Sequence, residues 1–259
     1  MGGSSTIQAG RIQSAKQAVA HSKSVRSYMR TLGILGGTGP ESTIDYYRLI
    51  LEEHARLRPG KGNPPLLINS VNFEEIMPFA NAQDWRGLAE WMAPEFEKLK
   101  RAGADFGLIA ANTPHLAMPF LRPICPLPLL SIVEATAAFA RDAGFRKVGL
   151  LGTRSTMEAR MYPDVLEPAG VEVRIPSEPD REYVNRKYFD ELFFGTFLDE
   201  TRQGLVQVIQ RMVERDAIEA VILGGTELPL LLRDEGEASV PLIDTAKIHA
   251  QAAVRMIVA

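Results

Sequence analysis

The chain has one cysteine, four histidines and no excess of basic residues among its 259 positions. Cys125 alone permits neither an intrachain disulfide nor a cysteine-rich zinc module. His21, His54, His115 and His249 show no HxxxH spacing, so no metal site is expected. Lys plus Arg number 29 against 32 for Asp plus Glu, a net charge of -3, which leaves no electrostatic footprint for nucleic acid. No apolar run approaches the roughly 18 residues of a spanning helix, so no membrane partner is expected. What is present is ordinary for a globular protein: 46% apolar, 24% charged and 7% aromatic residues. That composition excludes disordered and collagen-like chains, and a cytoplasmic location fits it.

Residues 1–30 stand apart. They hold Arg11, Lys16, Lys23, Arg26 and Arg30, no acidic residue, and many Ser, Gln and Gly. A Ser-rich, acid-free stretch of this kind has the profile of a transit peptide, but the expected reading is a disordered extension or a start placed upstream of Met29. The folded body is expected from residue 31 onward.

That body alternates short apolar runs with helical patterns. Runs bounded by turn residues, as buried parallel strands are, fall at Thr31–Gly36, Pro65–Val71, Phe106–Ala111, Leu127–Ile132, Lys147–Leu151, Val171–Ile175, Ala217–Leu223 and Val240–Ile243. Helical spacing covers Ser42–Leu57, Trp85–Ala102, Ile132–Ala143, Glu182–Phe194, Asp199–Arg215 and Thr245–Val258. Such alternation predicts an α/β fold with mostly parallel sheets flanked by helices. The order also repeats: ILGGTGPEST at 34 pairs with GLLGTRSTME at 149, and FGLIAANTPH at 106 with AVILGGTELP at 220. Two similar α/β domains are therefore expected, one from 31–130 with the C-terminal 241–259 helix and one from 131–240. Ligands of parallel sheets bind beyond the carboxyl ends of the strands, so the site belongs in the cleft between the halves.

Four strand ends carry the polar groups of that cleft. After the first strand, Gly37, Thr38 and Gly39 precede Pro40 at a helix start, where free N–H groups and the helix dipole suit a carboxylate or phosphate. The pattern fails GxGxxG at its third glycine, and Asn69 and Asn72 stand where a dinucleotide site needs an acid, so no nucleotide is expected. The second end offers Asn112 and Thr113, the third Thr153, Arg154 and Thr156, and the fourth Gly225, Thr226 and Glu227. With hydroxyls, amides and backbone but no lysine, the set suits a small carboxylate better than a polyphosphate. Each of these residues has a simpler role open to it, as a turn glycine or a helix cap.

Taken together, GGTGPEST at 36, NTPH at 112, PLLSIVEAT at 128, GLLGTRSTME at 149, ILGGTEL at 222 and PLIDTAKIHA at 241 resemble the aspartate/glutamate racemase family across the whole body. The resemblance implies two α/β domains with the active site between them, a small acidic amino acid as ligand, no cofactor, and often a homodimer. It also implies two cysteines, one before the NT pair and one before the TE pair, which exchange the α-proton from opposite faces of the substrate. Here those positions are Ala111 and Gly225, and neither side chain can carry a proton. Candidate substitutes are His115, by its ordinary pKa, and Glu227, as a carboxylate base; Cys125 is expected to be a small apolar packing group. Three functions follow: an amino-acid racemase or isomerase using other groups, a lyase or isomerase on a dicarboxylate, or an inactive carboxylate-binding homologue. A second substrate carboxylate would need a cation, for which Arg122, Arg154, Arg160, Arg181 and Lys187 are eligible, Arg154 foremost. The segment 179–197 is apolar enough to face a partner subunit. Gly225 is a candidate for a positive φ, so a cysteine is expected to be tolerated better at Ala111 than at Gly225.

Overall fold

The computed structural model describes residues 29–232, 236 and 238–259, so the N-terminal stretch up to residue 28 lies outside the described residues. The body contains two parallel sheets. In the first, β1 (Leu32–Gly36) lies between β2 (Leu66–Ser70) and β3 (Phe106–Ile109). In the second, β4 (Lys147–Gly152) lies between β5 (Glu172–Arg174) and β6 (Ala220–Gly224), with β7 (Leu242–Asp244) beyond β6. The opening strand of each half is thus central, with its successor on one side and the third strand on the other. The repeated sequence order is a repeated topology.

Among the described residues, seven longer helices cover the sheets: α1 (Pro40–Leu57), α2 (Phe73–Ala82), α3 (Trp85–Arg101), α4 (Ile132–Asp142), α5 (Glu178–Asp190), α6 (Asp199–Asp216) and α7 (Thr245–Val258). Strands β1, β3, β4 and β6 are buried almost throughout, as strands covered on both faces must be. Leu32, Ile34, Phe106 and Leu108 pack with Tyr46 and Ile50 of α1 and with Ala250, Ala253 and Ile257 of α7. The final helix therefore completes the core of the first half. Strand β7, just before it, pairs with β6 in the second sheet, so residues 242–244 belong there and the chain crosses over at Thr245.

Three local differences from the sequence expectations have physical causes. The run 127–132 is no full strand: it makes one bridge, Gly107 to Leu129, because Pro126 and Pro128 have no N–H to donate. Helix α2 lies where no helix was expected, opened by the Asn72 side chain accepting from Glu74 N at 3.1 Å and continued through Pro78. Helix α5 begins at Glu178 and ends at Asp190, and residues 192–194 form a separate 3₁₀ turn. Within the 179–197 segment, Val184, Tyr188 and Leu192 are buried in the protein's own second core, which removes much of the apolar surface it would offer a partner.

Candidate functional site

The carboxyl ends of β1, β3, β4 and β6 converge on one cavity of about 510 Å³, inside the range of roughly 300–1,000 Å³ for small-molecule sites. Thr38, Ala111–Thr113, Thr153–Arg154 and Gly225–Glu227 line it, one group from each strand end. Gly37 and Thr156 stand behind the wall. Gly37 turns the chain at φ +84, which a side chain would strain, and its N–H donates to Thr43 Oγ1 at 2.9 Å.

The first strand end opens α1 onto the cavity. Pro40 opens α1, and the N-cap residue Gly39 supplies no side-chain cap to this 18-residue helix, whose start lies beside the Glu227 carboxylate of the opposite half. The Thr38 hydroxyl is buried, and no protein group bonds it. An unpaired buried hydroxyl on a residue of the cavity wall is an unmet bond that a ligand or an ordered water can supply.

Three threonines tie the halves together. Thr113 Oγ1 lies 3.1 Å from both Thr153 Oγ1 and Thr156 Oγ1, and those two are 3.1 Å apart. Thr153 also caps the turn 154–158, accepting from Thr156 N at 3.2 Å. Asn112 reaches the wall, but its amide faces away: it donates to Thr245 Oγ1 at 3.1 Å and accepts from Tyr162 at 2.6 Å. These side chains therefore hold the cleft in shape, and their hydroxyl and amide groups are already matched within the protein.

His115 is a packing residue. It is buried in the 3₁₀ turn Thr113–Ala117, its Nδ1 lies 2.8 Å from Ala111 O, and its Nε2 accepts from Ile132 N at 3.1 Å. Both ring nitrogens are thus taken, and burial pushes its pKa down from 6.5 to about 4. It has no nitrogen left for a substrate, which corrects its candidacy as an acid–base group. Cys125 is half-buried beside the first core with its thiol pKa raised by burial, and it is not on the cavity wall.

Ala111 and Gly225, the two proton-carrier positions implied by resemblance, line the same cavity. Ala111 presents a methyl group. At Gly225 the place of a side chain is occupied: a β-carbon built there would lie 2.9 Å from the Tyr188 hydroxyl, 3.0 Å from Cζ and closer still to Cε2. Gly225 is not among the glycines with positive φ, so the obstacle to a larger residue is the tyrosine and not backbone strain. Tyr188 projects from α5, is nearly fully buried, and donates to Glu227 Oε2. Thr226 Oγ1 donates to the same oxygen at 3.0 Å.

Glu227 is the buried charge of the site. Burial raises its carboxyl pKa, while the bonds from Tyr188 and Thr226 hold it back in part. Tyr188 is held well above its ordinary pKa, first by burial and then by the charge of Glu227. The other carboxylate oxygen reaches across to the first half, where a β-carbon on Gly39 would lie 2.5 Å from Glu227 Oε1. The glycine at 39 thus admits a carboxylate from the opposite half to the start of α1. Sequence reasoning singled out Glu227 but missed Tyr188, because 39 residues separate them and only α5 brings them together.

Arg154 is on the wall, and its cationic head is already engaged. It bonds Glu178 and lies 3.6 Å from Glu158, while its backbone N–H donates to Asn185 at 2.8 Å. Opposite, α2 and α3 contribute an apolar wall of Phe73, Ile76, Met77, Ala80, Trp85 and Leu88. The Phe73 ring meets Phe193 of the second half at 4.4 Å between centroids. Among the described residues, no cluster of side chains is suited to a metal ion, and no helix is long and apolar enough to cross a membrane.

Comparison with known proteins agrees with this architecture. The Asp/Glu/Hydantoin racemase family profile matches residues 35–253. The chain is 25% identical over 228 residues to the broad specificity amino-acid racemase RacX of Bacillus subtilis (strain 168), covering 86% of this chain and 96% of that protein. A putative Asp/Glu racemase from Yersinia pestis superposes with a TM-score of 0.80 at 37% identity, over 89% of this chain and all of the other (100%). PH1733, an aspartate racemase homologue from Pyrococcus horikoshii OT3, gives a TM-score of 0.75 at 38% identity, over 88% of this chain and 99% of that one.

Proposed function

Because this chain belongs to the Asp/Glu/Hydantoin racemase family, we propose that it binds a small α-amino acid in the cleft and moves its α-proton from one face only. The substrate carboxylate lies against Thr38 and the start of α1. The proton carrier is Glu227, acting through the Tyr188 hydroxyl at the Gly225 face. The observation that carries this reading is the edge of the Tyr188 ring, whose Cε2, Cζ and hydroxyl fill the side-chain space of Gly225 and whose hydroxyl is bonded to a buried carboxylate.

The step balances without a cofactor. The Cα–H bond breaks and its proton passes to the Tyr188 oxygen as the Tyr188 proton passes to Glu227, leaving the electron pair on the substrate as an enolate. Return along the same line restores the same hand. A raised carboxyl pKa brings Glu227 closer to the working pH, which favours general-base transfer. On the opposite face stands the Ala111 methyl, so inversion has no protein donor there. Net racemisation is therefore slow relative to proton exchange, and the reaction type extends to a lyase or isomerase that needs protonation from one face.

The test is exchange in D₂O at pH 7 with L-Asp, L-Glu, L-Leu and L-Phe, following the α-proton by NMR and optical purity by chiral chromatography. Deuterium should enter at least one of them without loss of optical purity. Glu227→Gln should reduce that rate by roughly 10² or more, and Tyr188→Phe should reduce it comparably. Rapid racemisation, or exchange unaffected by either substitution, would refute the one-face relay. Binding with no exchange at all would favour the inactive carboxylate-binding homologue.

A further inference from the structure

The charge and the shape of the cleft bear on the substrate's side chain. Arg154 is the sole basic residue on the described cavity wall. Around it stand Glu158, Glu178 and Glu182, each acting on its charge, and Arg181 shares Glu158 and Glu178 with it, so the cations on this side are already paired. Glu227 adds a further acidic group inside the same cavity. A substrate with a second carboxylate would enter a region of net negative charge without a free cation to meet it. Removing a carboxylate from water without such a partner is strongly unfavourable.

The opposite wall is the reverse case. Phe73, Ile76 and Met77 from α2, with Trp85 and Leu88 from α3, face the cavity and carry no ionisable group. The acidic residues of α2 in its first turn, Glu74 and Glu75, point outward and are exposed. Across the mouth, Phe193 touches Phe73, and Phe189 stands next to Phe193 at 6.4 Å between ring centroids. Aromatic rings from both halves thus shield the apolar wall from water, which strengthens burial of an apolar group there.

We propose that the cleft takes an α-amino acid with a bulky apolar side chain, of the size of leucine or phenylalanine, and discriminates against aspartate and glutamate. The inference rests on the carboxylate placement at Thr38 given above, and it is independent of the proton relay. With the α-carboxylate at the start of α1, the side chain extends toward α2 and α3, where it replaces water on Phe73, Ile76 and Met77.

Calorimetric titration of the full chain with L-Leu, L-Phe, L-Asp and L-Glu at pH 7 and one ionic strength tests this. L-Leu or L-Phe should bind about tenfold or more tightly than either acidic amino acid, since apolar pocket contacts discriminate on that scale. Phe73→Ala should weaken the apolar ligand and leave the acidic ones unchanged, and Met77→Arg should reverse the order. Equal or tighter binding of L-Asp or L-Glu by the unmodified protein overturns the inference and leaves the carboxylate site standing. Failure of all four to bind overturns both.

Discussion

A methyl group added at Gly225 probes the packing that sets this cleft apart. In Gly225→Ala the new carbon would lie 2.9 Å from the Tyr188 hydroxyl and 3.0 Å from its Cζ, well inside ordinary contact. Tyr188 cannot swing away freely: it sits in the second core with Val184, Leu192 and Leu228, and its hydroxyl is fixed on Glu227. Overpacking of this kind costs about 1–3 kcal/mol. Truncating the ring in Tyr188→Ala should itself cost about 3–5 kcal/mol, as large-to-small core changes do. In the double variant the methyl group has room, so the combined loss should fall short of the sum by about 1–3 kcal/mol. Urea unfolding of the four proteins, with m unchanged, measures the coupling. Additive losses, or a neutral Gly225→Ala, would refute the assignment of Tyr188 as the occupant of that space. The same geometry predicts that a cysteine at Ala111, which faces the cavity, is tolerated better than one at Gly225.

Two further outcomes are expected. His115 is neutral when folded, with a pKa near 4 against an ordinary 6.5, so the unfolded chain binds the extra proton between those values and stability falls as pH drops from about 6.5 to about 4, by about 3 kcal/mol; denaturation at pH 7 and pH 4.5, with NMR of the His115 ring, checks it, and a ring titrating near 6.5 would contradict it. Thr38→Val should leave stability unchanged or raise it by about 1 kcal/mol, because the hydroxyl is already unpaired, while ligand-induced stabilisation disappears; thermal melts with and without L-Leu and L-Asp separate the two effects, and undiminished stabilisation would remove Thr38 from the site.

Much of this protein can be read from local sequence. Buried parallel strands announce themselves as short apolar runs ending in glycine, because both faces of β1, β3, β4 and β6 are covered. Four polar strand ends place the cleft, since parallel sheets present their carboxyl ends together. Errors arose where a local pattern met a backbone or tertiary constraint. The run 127–132 is apolar, yet its prolines cannot donate to a ladder. No helix was expected after Asn72, yet Asn72 caps α2, which supplies part of the apolar wall.

The sequence alone determined the two α/β halves and the glycine-rich turn at 36–39, because strand burial and turn chemistry are properties of short segments. Tertiary structure alone decided what the candidate residues do. A histidine of ordinary pKa is taken up by Ala111 and Ile132, and burial removes its charge. An arginine at a strand end is met by Glu178 and Glu158. The empty side of a glycine is filled by Tyr188, from a helix that begins 47 residues earlier in the chain, because packing responds to distance in space and the sequence records only distance along the chain.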